Sequence, residues 1–441
     1  MNLTIEKLIY GGDGLARLPA DEKGRGKAVF VPFVLAGEKV EVSLVEEKPG
    51  FARAARVGAI LEASAARIEP RCPYFAQCGG CHYQHTSYEH QLTIKTEILK
   101  ENLRRLAKLQ VTPEVEVHAS PPWGYRNRTR LQVRAEGEFA LGYFRMASHV
   151  LLAVEECPIS SPLINRAIAA LWKLGREGKV PATLREIELF ANEDDTKLQV
   201  ELYCDPQQEK SQRSRSGQEF AEQLQREIPE VVGVYVFSQR IAAARGVQGH
   251  ITAQPEWTLG PLAFLYETRA GALRVSGGSF FQVNRFLVDE LVSIVTANRS
   301  GEVALDLYAG VGLFTSALGK VFGHIVAVES SHSAAADLAY NSEPSVKAVR
   351  ATVDEYLAGR GAKLRPDLVV VDPPRAGLGD RVARAVSKLD AKRVAYVSCD
   401  PATLARDLVT LIAGGWRVER LHLVDLFPQT YHIESVVELV R

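Results

Sequence analysis

The sequence predicts a multidomain α/β + β chain: a small N-terminal β-barrel, a central α+β domain and a C-terminal Rossmann-like domain. Three observations carry this. From about residue 263, apolar strand-like runs alternate with helical runs, the pattern of βαβ units in a doubly wound sheet. Near the amino terminus, short strands separated by Gly-containing turns read as a small OB-like barrel. Between them, a cysteine cluster precedes a helix and a set of longer strands. The expected boundaries are 1–62, 63–262 and 263–441.

In the first segment, Gly11-Gly12-Asp13-Gly14 is a turn, and Ala28–Val34 and Lys39–Leu44 are strands around the turn Ala36-Gly37-Glu38. In the second, Leu92, Ile94, Ile98, Leu99, Leu103 and Leu106 recur at helical spacing and predict a helix over Tyr88–Lys108. Strands follow around Arg126–Ala135 and Glu186–Tyr203. The polar stretch Gln207–Gln218 reads as an exposed loop. In the third, strands are expected at Val303–Leu307, His324–Val328, Ala348–Val353, Leu368–Asp372, Val394–Cys399, Arg417–Asp425 and Ser435–Leu439.

The chain has 441 residues, 46% of them hydrophobic, enough for several cores. Charged residues make up 24% with zero net charge, so any nucleic-acid footprint must be local. No apolar run reaches membrane-spanning length and Met1–Lys7 shows no signal-peptide pattern, so a cytoplasmic protein with no membrane partner is expected. Six cysteines in this length do not make a disulfide scaffold.

Ala304-Leu305-Asp306-Leu307-Tyr308-Ala309-Gly310-Val311-Gly312 reads as a strand running into a Gly-rich turn. Glu329 ends the next strand, where a carboxylate can accept hydrogen bonds from both hydroxyls of a ribose. Asp354 follows the third strand and Asp372 the fourth. This ordered set of strand-end acids indicates a nucleotide or nucleoside cofactor. The spacing is neither the Gly-x-Gly-x-x-Gly of NAD sites nor a phosphate-binding loop ending in Gly-Lys-Ser/Thr. Cys399 follows the apolar Val394–Val397, which puts a thiol at the carboxyl end of a strand, where such folds place their chemistry.

Cys72, Cys78 and Cys81 form a tight group with Cys157 downstream. Four thiolates suit tetrahedral zinc or a [4Fe–4S] cluster, and His82, His85 or His90 could replace a thiol; spacing leaves these open. Cys204, inside Val200–Cys204, reads as a core strand residue. Arg126, Arg128 and Arg130 alternate after Trp123 and Tyr125 and would share one face of a strand, either following a phosphate backbone or simply solvated.

Four longer motifs point to a family. Ser398–Thr403, Asp372-Pro373-Pro374-Arg375-Ala376-Gly377-Leu378, Phe280-Phe281-Gln282-Val283-Asn284 and the tail Phe427–Ser435 together resemble the RNA 5-methyluridine methyltransferases, over essentially the whole chain. The resemblance implies a class I methyltransferase domain using S-adenosylmethionine, contacted by Gln282, Tyr308, Glu329, Asp354 and Asp372. Relatives often carry Phe where Tyr308 stands and Asn where Leu313 stands; a polar contact from the second position is not carried over. Cys399 would add to uracil C6 so that C5 becomes nucleophilic, and a base must then remove the C5 proton. The match His432-x-Glu434 makes Glu434 that base, with His432 second.

For the four cysteines, the resemblance implies a [4Fe–4S] cluster on Cys72, Cys78, Cys81 and Cys157. Gly11–Arg17 resembles the TRAM domain, an RNA-binding barrel. The implied partner is RNA, 23S rRNA first and the transfer-RNA T-loop second, acted on by a monomer. Two rivals are weaker. A non-catalytic iron–sulfur protein that binds RNA or senses redox state would not need Cys399, Glu434 and Asp372 together. An amino-group methyltransferase would place an aromatic residue where Arg375 stands.

Overall fold

The computed structural model describes all residues except 20–25, 49, 110–112, 208, 239–254, 262 and 297–298. Its largest sheet has eight strands in the order Val346–Arg350, Phe322–Glu329, Gly301–Leu307, Leu368–Val371, Arg393–Ser398, Glu434–Val440, Arg417–Val424, Val115–His118. The first five run parallel, and Glu434–Val440 is antiparallel to both its neighbours. Leu-Val-Val-Val at 368–371 is buried throughout, as a parallel strand covered on both faces must be. Alternate residues serve different cores. Leu305, Leu307, Val369 and Val371 pack on one face, and Ala304, Leu368 and Val370 on the other.

The first of these cores also contains Ile94, Ile98, Leu99 and Leu103 of helix Tyr88–Arg105, Leu404 and Leu408 of helix Pro401–Ala413, and Val29, Val31, Val40 and Val42 of the N-terminal strands. Those strands form a six-stranded sheet in the order Asn2–Thr4, Lys39–Lys48, Phe51–Glu62, Ala28–Pro32, Asp13–Arg17, Lys7–Leu8. The N-terminal unit thus shares a core with the C-terminal one.

A third sheet, of seven strands, runs Leu151–Ala153, Ala140–Phe144, Arg128–Arg134, Leu184–Ala191, Leu198–Cys204, Val231–Ser238, Trp257–Leu259. Cys204 is buried in its core, as expected. Gln207–Gln218 is not a loop: most of it lies in helix Lys210–Glu227, which crosses between two parallel strands of this sheet. Phe220, Ala221 and Leu224 bury one face, and Gly217 lets the helix approach, since a Cβ there would stand 2.8 Å from Val236 Cγ2. The expected strand Ala348–Val353 is Val346–Arg350, because Thr352 caps helix Val353–Ala358 in a reciprocal box with Glu355. The expected middle segment is also divided: its strand Val115–His118 completes the C-terminal sheet, and its end at 262 lies outside the described residues. No helix among the described residues is long and apolar enough to cross a membrane.

Candidate active site

Cys399 is half-buried between the end of strand Arg393–Ser398 and helix Pro401–Ala413. Asp400 caps that helix, accepting from the backbone N–H groups of Ala402 and Thr403 at 2.9 Å each, with Pro401 at the first helical position. Ser398 pairs with Ser435 in antiparallel register, so the next step sets Cys399 opposite Glu434. Burial, then Glu434, then Asp372, push the Cys399 thiol up to about 12, opposed by Arg375. Glu434 is itself held well above the usual carboxyl range by burial and by Asp372. Burial and Asp306 raise Asp372 to about 7; burial raises Asp306 to about 7 although Thr315 Oγ donates to it at 2.5 Å. A thiol and carboxyls raised above their ordinary values thus gather at the carboxyl ends of the central strands, with no cation bonded to them among the described residues. His432 is lowered to about 3, mainly by burial and then by Arg375, which leaves it a weak base.

The Gly-rich turn adjoins this cluster. Tyr308, Gly310 and Gly312 take left-handed backbone angles (φ 64°, 58° and 97°). Tyr308 does so without glycine's freedom, a strain that clusters at ligand sites. Glu329 accepts from Gly310 N at 2.9 Å and Ser331 N at 2.6 Å, which ties the turn to the end of the neighbouring strand. Asp354 stands in the first turn of helix Val353–Ala358, 3.1 Å from Arg381 Nη1. Burial, with Asp407 and Asp354 nearby, raises the Tyr308 hydroxyl to about 12. Gln282 is buried and has no side-chain hydrogen bond among the described residues. Its loop is anchored by Ser279 Oγ donating to Asp337 at 2.7 Å, and by Arg128 Nη1 donating to Ser279 O at 2.5 Å. Beside Gln282, Phe281 is core and Phe280 is 60% exposed.

Several contributors lay outside the sequence reading. Tyr10, from the N-terminal unit, donates its hydroxyl to Cys399 O at 3.3 Å and meets Tyr431 edge-on at 5.5 Å. Gln429, at φ 69°, accepts on its carbonyl from His82 N at 2.8 Å and Tyr83 N at 3.0 Å. Its backbone N–H donates to Gln91 Oε1 at 2.9 Å, and its side-chain Oε1 accepts from Gln91 Nε2 at 3.0 Å. Segments remote in sequence thus hold the tail that carries Glu434, and no local pattern marks them. Asp306 did have a signal, as the acid opening the Gly-rich motif.

The four cysteines come together from two segments. All are free thiols; burial followed by Cys157 raises Cys72, and burial with Cys157 and Cys72 pushes Cys78 up to about 11. Burial and the same neighbours raise Cys81 further. The histidines are engaged elsewhere: His82 packs on Tyr431 at 4.6 Å, His85 meets Val34 O at 3.3 Å, and His90 meets Thr86 Oγ1 at 2.8 Å. Two of the three arginines are also taken. Arg128 bonds Glu188 and lies 3.5 Å from Glu201; Arg130 bonds Glu188 at 2.6 Å. Arg126 has no side-chain hydrogen bond or ion pair among the described residues.

The family model of the tRNA (uracil-5-)-methyltransferases matches residues 87–441, and that of the TRAM domain residues 1–57. The chain belongs to the tRNA (uracil-5-)-methyltransferase family. An uncharacterized RNA methyltransferase of Aquifex aeolicus is 34% identical, over 100% of this chain and 98% of that one. The 23S rRNA (uracil(1939)-C(5))-methyltransferase RlmD of Chromohalobacter salexigens is 32% identical over 100% and 89%. The crystal structure of the Pyrococcus abyssi tRNA (uracil-54, C5)-methyltransferase with S-adenosyl-L-homocysteine superimposes with a TM-score of 0.75, at 25% identity and 100% of both chains. This methyltransferase therefore acts on uracil C5 in RNA, with S-adenosylmethionine as methyl donor.

Proposed function

We propose that this methyltransferase modifies a uridine of 23S rRNA through a covalent adduct on Cys399. The observation that carries the mechanism is the facing of Cys399 and Glu434 across the last antiparallel pair, beside Asp372. Cys399 reacts as the thiolate, its proton lost to solvent: Sγ bonds to uracil C6 and moves electron density to C5. S-adenosylmethionine, when bound, supplies the methyl group that C5 takes. Glu434, in its ionised form, then accepts the C5 proton, the Cys399–C6 bond breaks and the double bond re-forms. Glu434 is preferred to His432 because His432, near 3, binds a proton too weakly.

Gln282, Tyr308, Glu329, Asp354 and Asp372 would hold the donor. The strained Gly-rich turn, the Asp372 carboxyl with no cation among its described neighbours and the unbonded Gln282 amide fit a polar, positively charged nucleoside. The rRNA assignment rests on end-to-end similarity to RlmD. Mapping 5-methyluridine by mass spectrometry in a deletion strain tests it: 23S rRNA loses the mark and regains it with the wild-type gene, not with Cys399→Ala. Loss from transfer RNA instead would move the target to the T-loop.

The four cysteines suit a [4Fe–4S] cluster. Half-buried thiols close enough to raise Cys72, Cys78 and Cys81 are a donor set suited to positive charge. Iron and sulfide analysis after anaerobic purification is the check; one stoichiometric zinc in a colourless protein would replace the assignment. The TRAM unit and Arg126, free of ion pairs, would take the RNA backbone. The units 1–62, 63–262 and 263–441 are offered as functional divisions, RNA capture, cluster and catalysis, over cores that are partly shared.

A further inference from the structure

At the far edge of the large sheet, two histidines and two glutamates share one face of three strands, and Glu290 of helix Val288–Thr296 reaches the same group. His422 stands in register with Glu116, and Arg420 with Glu438. His118 lies two residues beyond Glu116, on the same face. His118 Nδ1 is 2.8 Å from Glu290 Oε1, and His422 Nε2 is 3.4 Å from Glu438 Oε1. The remaining ring nitrogens, His118 Nε2 and His422 Nδ1, face each other at 3.1 Å. Glu116 Oε2 is 3.7 Å from His422 Nδ1.

This arrangement has a proton-counting problem. A neutral imidazole carries one N–H, and an ionised carboxylate only accepts. If each ring gives its N–H to its own glutamate, the two facing nitrogens both present lone pairs. A cation must lie between them. The local charges favour one: Glu116, Glu290 and Glu438 are opposed by Arg420, 2.8 Å from Glu116, and Arg299, 2.7 Å from Glu438, which leaves one negative charge over.

We propose that His118 Nε2, His422 Nδ1 and Glu116 Oε2 bind one divalent transition-metal ion of the zinc class, with a fourth position open to water. Metal–nitrogen and metal–oxygen bonds of about 2.0–2.2 Å at tetrahedral angles put ligand atoms about 3.3–3.5 Å apart. The 3.1 and 3.7 Å separations bracket that range, and all three atoms lie within 4.8 Å of one another. Glu290 and Glu438, on the other ring nitrogens, are the outer carboxylates that fix tautomer and orientation in histidine metal sites. The ion would staple Val115–His118 to the sheet edge. Arg420, forked on Glu116, limits that carboxylate to a single-oxygen ligand.

The test is zinc titration of the full-length, cluster-loaded protein by calorimetry and thermal unfolding, with cobalt substitution to read the ligands. Saturable binding of one ion in the micromolar range or tighter is expected, with a zinc-dependent rise in Tm. His118→Gln and His422→Gln should each weaken binding at least tenfold and abolish the Tm response while remaining folded without metal. The cobalt spectrum should show tetrahedral or five-coordinate bands without thiolate charge transfer. Binding that survives both substitutions, or a thiolate signature, would assign the metal to the cysteines and overturn the site. No saturable binding below about 1 mM would mean that the cation between the rings is a proton.

Discussion

Glu188 and Glu434 are equally buried, each 6% exposed, yet their carboxyls are pushed in opposite directions. Glu188 is bonded by Arg128 and Arg130, and these, Arg128 first, hold it below the usual range despite burial. Glu434 has Asp372 beside it and Arg375 only through space, and is held far above that range. The first carboxylate is scaffold: through Arg128 its network props the Ser279 loop that carries Gln282. The second faces a thiol. Burying a charge without a partner is costly, so such a group persists where chemistry needs it.

The largest expected break is at the thiol itself. Cys399→Ala should abolish turnover and any denaturation-resistant RNA–protein adduct while leaving Tm within about a degree; normal methylation would end the covalent mechanism. Glu434→Gln should lower kcat by about 10²–10⁴ and accumulate the adduct on gels, because proton removal is blocked. Its stability should hold or rise, since a buried group without a partner becomes neutral. Glu188→Gln is the counterpart: roughly 1–3 kcal/mol of lost stability by denaturant titration, from weakening the network around buried Arg128, which keeps Glu201 and the Ser279 carbonyl, with near-normal kcat per folded molecule. Equal behaviour of the two glutamine variants would erase the distinction.

Acid sharpens it further. Asp306 and Asp372 are raised from 3.8 to about 7, so their contribution is fully present below pH 3.8 and is lost as pH rises towards 7. Glu188 is lowered, so its contribution is present above its unfolded value of 4.5 and is lost as pH falls below it. Calorimetry of the donor-free protein should show a flatter Tm decline between pH 4 and 7 for Asp372→Asn, and little change there for Glu188→Gln. The smallest effect is Tyr10→Phe. Losing the hydroxyl bond to the Cys399 carbonyl should cost about 0.5–1.5 kcal/mol, read as a less than tenfold fall in kcat with donor affinity unchanged.

The parts legible in the sequence were those whose chemistry sits at the end of an apolar strand. Asp306, Glu329, Asp372 and Cys399 could be placed from local pattern alone, and the eight-stranded order follows from βαβ alternation for its first five strands. What escaped notice depends on partners distant in the chain. Arg128 and Arg130 read as an open cationic face because Glu188 and Glu201 come from other strands. Gln207–Gln218 read as a loop because the apolar residues that helix Lys210–Glu227 buries, Phe220, Ala221 and Leu224, lie beyond that polar stretch. Tyr10, His82 and Gln91 reach the catalytic tail only in the folded chain.

Val115–His118 pairs with a strand made much later, Glu116 and Arg420 being 304 residues apart. At about 5–20 residues per second, the ribosome needs roughly 15–60 s to cover that interval. Through that time the sheet edge and the shared core beneath the N-terminal strands have no partner. Docking of Val115–His118 onto the sheet therefore has to wait for Arg417–Val424, so this side of the shared core closes late in synthesis.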